Sequence, residues 1–227
     1  MNASSTASPL RVVVLISGNG SNLQAIIDKI VVDHIAAEIV AVISNKADAY
    51  GLTRARNAGI PVETINQTDH ESRDDFDKAL QNIIDSYQAD LVVLAGFMRI
   101  LTDDFVNHYA GRMINIHPSL LPKYQGLHTH RRVLEAGDTE HGASVHFVTP
   151  ELDSGPVILQ AKIQIEENDT EKSLAQRVHQ VEHLIYPQVV KWFAEQRLSL
   201  EGETVLIDHQ PMTNEQKLWL SSNGTSG

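Results

Sequence analysis

Asn115 and His117 stand two residues apart in the run Met-Ile-Asn-Ile-His-Pro at 113–118. On a strand over 113–117, alternation places both side chains on one face and Ile114 and Ile116 on the other. Pro118 holds His117 toward an extended backbone. An amide donor and an imidazole projecting together from a strand end could stabilise an oxyanion, with the histidine also moving a proton. The plain alternative is an Asn and a His that satisfy loop backbone groups, and spacing alone does not separate the two. Further on, Glu151-Leu152-Asp153-Ser154-Gly155-Pro156 separates two apolar runs. A carboxylate there, beside His117, would favour the imidazolium and fix the ring. Taken alone, an Asp before Gly-Pro reads as a turn former.

A third cluster is Ser17-Gly18-Asn19-Gly20-Ser21-Asn22, between an apolar run and a helical pattern. Free N–H groups and the dipole at a helix N-terminus attract anions, and glycines let the backbone approach. A dinucleotide fingerprint would need glycine at 23, where Leu23 stands, and an acidic residue after the second strand, where Ser44-Asn45-Lys46 stands. There is no Gly-Lys-Ser/Thr for a nucleoside triphosphate. A small phosphomonoester fits best, and a plain tight turn with a cap is the alternative. His117, His128, His130, His141 and His146 include no helical metal-ligand spacing, and cysteine is absent, so no metal is expected.

The elements that must hold these residues follow from hydrophobic pattern. Residues 11–17, 38–44 and 90–95 are short apolar runs, as in strands buried on both faces. Helical spacing follows at 23–31, with Ser21 or Asn22 as N-cap, at 52–58, and at 76–87, where Ser72 and Asp75 have capping-box spacing. A short strand fits 62–65. Strand and helix alternate, which predicts an α/β fold with an open parallel sheet whose ligands bind at the strands' carboxyl ends. The second half is mixed, with strands at 113–116, 142–148 and 156–165. A long helix is predicted over 170–196, which Pro187 should kink or interrupt. A hairpin fits 198–207, turning at 201–203. On that helix, spacing leaves His179, Glu182 and His183 to core or solvated face.

Composition limits the partners. The chain has 227 residues, which is one large domain or one with a small extension. The net charge of −11 and the lack of a basic run argue against a nucleic-acid partner, so any phosphate should be held by backbone amides. The absence of cysteine fits a reducing cytoplasm. No apolar run is long enough for a membrane span, and no membrane partner is expected. Residues 1–9 read as a disordered lead-in, 10–208 as a single domain, and 209–227 as a flexible tail.

Six segments together carry a resemblance: LISGNGSNLQAII (15–27), SNKADAYGLTRA (44–55), VVLAGFMRIL (92–101), INIHPSLLPKYQGLHTHRRVLEAG (114–137), HGASVHFVTPELDSGPVILQ (141–160) and VHQVEHLIYP (178–187). In this order they resemble the glycinamide ribonucleotide transformylases, folate-dependent formyltransferases of purine synthesis. The resemblance implies a Rossmann-like formyltransferase fold, with a phosphate-binding half at about 10–110 and a folate and catalytic half at about 111–208. It implies formyl transfer from 10-formyltetrahydrofolate to the glycine amine of glycinamide ribonucleotide. By position it assigns catalysis to Asn115, His117 and Asp153. The ribonucleotide falls to Gly20, Ser21, Asn22 and Leu23, and to His179, Gln180, Val181 and Glu182. Folate falls to Arg73, to Met98, Arg99, Ile100 and Leu101, to Asn115, and to Thr149, Pro150, Glu151, Leu152 and Asp153. It implies small-molecule substrates only, no metal, and a monomer or weak homodimer. Gln125 departs from the Pro that many such proteins carry, with no evident chemical role. A formyltetrahydrofolate hydrolase, a Rossmann-like oxidoreductase and a non-catalytic phosphate- or folate-binding protein are the rival readings.

Overall fold

Each buried strand presents alternate residues to opposite layers, and two separate cores result. The computed structural model describes residues 8–219, so the expected lead-in at 1–7 and tail at 220–227 lie outside the described residues. Strand β1 (Leu10–Ile16) sends Val12, Val14 and Ile16 to one core and Val13 and Leu15 to the other. The first core lies under α1 (Ser21–Val32), α2 (Tyr50–Asn57), α5 (Thr129–Ala136) and α6 (Glu171–Ala194). The second lies under α3 (Arg73–Ser86) and α4 (Asp103–His108). Burial on both faces is why these strands read as continuous apolar runs.

The remaining strands are β2 (Ala37–Ser44), β3 (Val62–Thr64), β4 (Leu91–Leu94), β5 (Met113–His117), β6 (Glu140–Phe147), β7 (Val157–Gln164), β8 (Leu198–Glu201), β9 (Thr204–Ile207), β10 (Gln210–Pro211) and β11 (Leu218–Trp219). The main sheet has the order β11-β7-β6-β5-β4-β1-β2-β3. Pairing is parallel from β3 to β5 and antiparallel across β5–β6 and β6–β7. The strand order reverses between β1 and β4, which opens a crevice at their carboxyl ends.

Four local expectations differ from what is observed. Gly20, not Ser21 or Asn22, is the N-cap of α1, in a left-handed conformation with no side-chain cap bond. Ser72 caps α3 by accepting from Asp75 N, but its hydroxyl bonds the Asp75 carboxylate, so the capping box closes on one side only. Helix α6 is not interrupted at Pro187, because Ile185, Tyr186, Val189 and Val190 pack around that turn. Residues 210–219, expected to belong to a loose tail, supply β10 and β11, and β11 pairs with β7 at the sheet edge. The polar composition concealed this because a two-residue strand carries no periodicity.

Candidate active site

The loop after β1 is shaped by glycine. A Cβ on Gly20 (φ +73°) would stand 2.7 Å from the Gly51 Cα, so the loop and the start of α2 touch backbone to backbone. Arg54 on α2 grips the loop, with Nε donating to the Asn19 carbonyl (2.9 Å) and Nη2 to Asn19 Oδ1 (3.1 Å). The first-turn amides of α1 are left without a side-chain cap. Such a helix start, with one nearby guanidinium, has the features that attract an anion. Leu23 lies in the core, so only its main chain can face the loop.

Glu182 of α6 meets this loop. It is 4% exposed, contrary to the solvated face that its sequence context allowed, and Asn22 Nδ2 donates to its Oε2 at 2.8 Å. Burial raises its pKa, and the Asn22 bond opposes that shift. Asn22 Oδ1 is buried with no partner among the described residues, an acceptor left for a donor yet to arrive. Of its neighbours, His179 and Gln180 are exposed, and Val181 packs against the core.

Across the crevice, α3 and the loop after β4 enclose a cavity of about 380 Å³. Arg73, Met98, Arg99 and Ile100 line it, joined by Gln67, His70, Glu71 and Ser72, which sequence reasoning did not single out. Met98 (69% exposed) and Ile100 (60%) leave large apolar surface uncovered there. The guanidinium of Arg99 is directed elsewhere. It pairs with buried Asp77 (3.5 Å) and lies 3.8 Å from the Phe76 ring centroid. Asp77 Oδ2 also accepts from Thr102 N (2.6 Å), so the pair fixes the 97–102 loop. Leu101 is core. A ligand would meet Arg99 and Leu101 mainly through backbone.

Between the two lies the Asn115–His117 pair, two residues before the end of β5 and at its end. Asn115 pairs in register with His146 of β6, and Asn115 Nδ2 lies 3.2 Å from His146 Nε2. His146 Nδ1 lies 2.8 Å from the Phe147 carbonyl, which can only accept. The His146 proton therefore sits on Nδ1, and Nε2 accepts from Asn115. Burial lowers the His146 pKa, in keeping with a neutral ring. Its 3.8 Å approach to Asp153 Oδ1 is thus not an ion pair. The amide orientation of Asn115 is settled: one Nδ2 hydrogen goes to His146, and the other is free for a ligand.

His117 Nδ1 lies 3.3 Å from Asp153 Oδ2, and Nε2 lies 2.9 Å from the Tyr124 carbonyl. Both edges face acceptors: Nε2 is within hydrogen-bond reach of the Tyr124 carbonyl, and Nδ1 lies against the Asp153 carboxylate. The turn that delivers Asp153 requires Gly155, where a Cβ would fall 1.9 Å from the Phe147 carbonyl oxygen. Thr149, Pro150, Glu151 and Leu152 form the approach to that turn, and Leu152 is 55% exposed. Asn115, His117 and Asp153 are thus brought together, as the sequence predicted.

The sequence model of the formyl transferase family matches residues 10–190. The chain belongs to the formyl transferase family. It is 58% identical over 201 residues to the phosphoribosylglycinamide formyltransferase of Escherichia coli K12, covering 88% of this chain and 95% of that one. It is 48% identical to the enzyme of the same name from Haemophilus influenzae, covering 87% and 93%. A crystal structure of phosphoribosylglycinamide formyltransferase from Coxiella burnetii, in complex with CHES, superimposes with a TM-score of 0.89 at 56% identity, covering 93% of this chain and all of that one.

In this formyl transferase chain, sequence reasoning weighed His146 only as a metal ligand and did not single out Tyr124 or Arg54. Each acts through a neighbour in space and not through a motif. No group of three or more His, Asp or Glu side chains among the described residues is arranged to hold a metal ion. No helix among them is long and apolar enough to cross a membrane.

Proposed function

We propose that this chain transfers a formyl group from 10-formyltetrahydrofolate to the glycine amine of glycinamide ribonucleotide, giving formylglycinamide ribonucleotide and tetrahydrofolate. The observation that carries the reading is the convergence of Asn115 Nδ2, the Nδ1 edge of His117 and the Asp153 carboxylate around neutral His146, between an uncapped helix N-terminus and an apolar-edged cavity.

The residues present fit both small molecules. The α1 N-terminus with Gly20, Ser21 and Asn22 suits a phosphate. Glu182 and the unpartnered Asn22 Oδ1 suit ribose hydroxyls or the glycinamide. The cavity at Arg73 and Met98–Ile100 is of ligand size and mostly polar, with Met98 and Ile100 offering exposed apolar surface to a ring and Arg73 a cation for carboxylates. Folate bound there supplies the formyl carbon on N10.

Chemistry then falls to this chain's own groups. Asn115 directs its free Nδ2 hydrogen at the formyl oxygen, where negative charge grows as the amine attacks. The His117 ring, its Nε2 at the Tyr124 carbonyl and its Nδ1 against Asp153, adds positive charge beside the growing oxyanion when it is protonated. Asp153 balances the imidazolium charge and is placed to hold a water that carries a proton from the attacking amine toward N10. The N–C bond forms as the C–N10 bond breaks, and the proton lost by the amine matches the one gained by N10.

The test is deformylation of a 10-formyl folate by purified protein, with and without glycinamide ribonucleotide. Turnover only with the ribonucleotide is expected. Equal turnover with water alone would replace the reading by a hydrolase, and none at all would leave a binding protein.

A further inference from the structure

The loop after His117, residues 118–128, and the turn at 151–155 hold opposite edges of the His117 ring. Gln125 stands on the first and reaches the second. Its Nε2 donates to the Asp153 carbonyl (3.1 Å) and to Ser154 Oγ (2.9 Å). The carbonyl can only accept, so the amide must present its nitrogen there. The Gln125 carbonyl in turn accepts from Arg132 Nη1 at 2.6 Å, which pins its backbone to α5. The residue before, Tyr124, gives its carbonyl to His117 Nε2, and the residue after, Gly126, donates its N–H to Asp153 Oδ2 (2.9 Å). Three consecutive residues thus hold the His117 ring, the Asp153 backbone and the Asp153 carboxylate. Asp153 has φ +50°, a left-handed conformation uncommon for residues with a Cβ but one that Asp adopts more readily than most.

We propose that Gln125 is a positioning residue, a latch that ties the 118–128 loop to the Asp153 turn and so sets the His117–Asp153 geometry. The proposal rests on the formyl-transfer reading above. Tyr124 and Gly126 act through main-chain groups that other residues at those positions also carry. The Gln125 amide is different, since Ala or Pro at 125 offers no donor. Residue 125 is therefore the side chain through which this chain tunes the latch. Gln125 is exposed and its own N–H makes no protein hydrogen bond among those described, so replacing it leaves the core intact.

The test compares wild type, Gln125→Ala, Ser154→Ala and the double variant, measuring kcat, KM for both substrates and thermal melting. Gln125→Ala should lower kcat about 3- to 10-fold, the worth of one or two exposed hydrogen bonds. KM for the ribonucleotide should not change, because Asn22 and Glu182 lie outside the latch. Ser154→Ala should cost less, and adding it to Gln125→Ala should cost almost nothing. Unchanged kcat in Gln125→Ala, or strictly additive losses, would overturn the latch. So would a loss shared by both KM values that follows the melting temperature. A wild type without transferase activity would instead defeat the functional reading. Hydrogen exchange at 118–128 would then decide the latch, faster in Gln125→Ala if it exists and unchanged if it does not.

Discussion

Asn115 offers the most direct way to break the proposed chemistry, because its amide has two hydrogens and the structure accounts for one. His146 Nε2 takes the first, and the second is assigned to the formyl oxygen. Asn115→Ala deletes that donor, and loss of a single preorganised oxyanion donor costs about 10²–10³ in kcat, or about 2.7–4 kcal/mol. His146→Phe is the sharper experiment. It leaves the donor in place but removes the acceptor that orients it. A hydrogen bond of this kind is worth about 1 kcal/mol, so without it the amide loses its preferred orientation, and kcat should fall about 2- to 5-fold. The same change removes the contact from His146 Nδ1 to the Phe147 carbonyl, and melting would show any cost in stability. Steady-state kcat at saturating concentrations of both substrates reads the two effects. Asn115→Ala within threefold of wild type would refute the oxyanion role. His146→Phe at full kcat would show that the amide needs no orienting partner.

Five further perturbations test other parts of the protein. Asp153→Asn removes the charge 3.3 Å from His117 and should abolish turnover at neutral pH while folate affinity, measured by fluorescence titration, changes little; loss of binding alone would make Asp153 a ligand contact. Arg54→Ala frees the Asn19 loop and should raise KM for the phosphorylated substrate about 10-fold with kcat nearly constant, and a fall confined to kcat would contradict that placement. Burial holds His141 near a pKa of about 4 against an ordinary 6.5 and also lowers His130, His146 and His183, so the unfolded chain binds protons more readily and stability should fall as pH drops from about 6.5 toward 4. Glu182 runs the other way: with its pKa raised above 4.5, it withdraws stability as pH rises through the window above that value, so Glu182→Gln should melt higher than wild type at neutral pH by a margin that vanishes in acid, and a pH-independent margin would refute the assignment. Ser17→Ala leaves the Met98 N–H without its acceptor and should raise KM for folate a few-fold, which parallel titrations of both substrates would separate from a general loss of fold.

The parts of this site that could be read in the sequence are those whose signal is local. Alternation placed Asn115 and His117 on one face, and glycine spacing marked the anion loop. Glu182 was harder, because its burial depends on α6 packing against α1 and on an Asn22 contact 160 residues away. A trace existed all the same. Val178, Glu182, Ile185 and Val189 are spaced 4, 3 and 4 apart, so the carboxylate falls within a buried helical stripe. Asp77 leaves the same trace on α3, between Phe76 and Leu80, and it explains why the Arg99 guanidinium is turned away from the cavity. His146 left none, since its partner is set by the antiparallel register of β5 with β6, and nothing in either strand alone specifies that register.

The strand order also explains why two ligands can be held in fixed relation by so few groups. The crevice between β1 and β4 is where a parallel sheet exposes diverging loops, and such loops would drift apart without a tie. Ser17, the first residue after β1, provides it. Its hydroxyl donates to Asn45 Oδ1 (2.6 Å) after β2 and accepts from Met98 N (2.7 Å) after β4, and its own N–H reaches the Gly96 carbonyl (3.1 Å). The anion loop begins at that same residue. A single buried hydroxyl therefore joins the start of the glycine-rich turn to the loop that lines the cavity. The Asn115 and His117 side chains, on the next strand beyond β4, are referenced to both. Under the proposed function, the distance between the amine of one substrate and the formyl carbon of the other would be set by sheet geometry and this one hydroxyl.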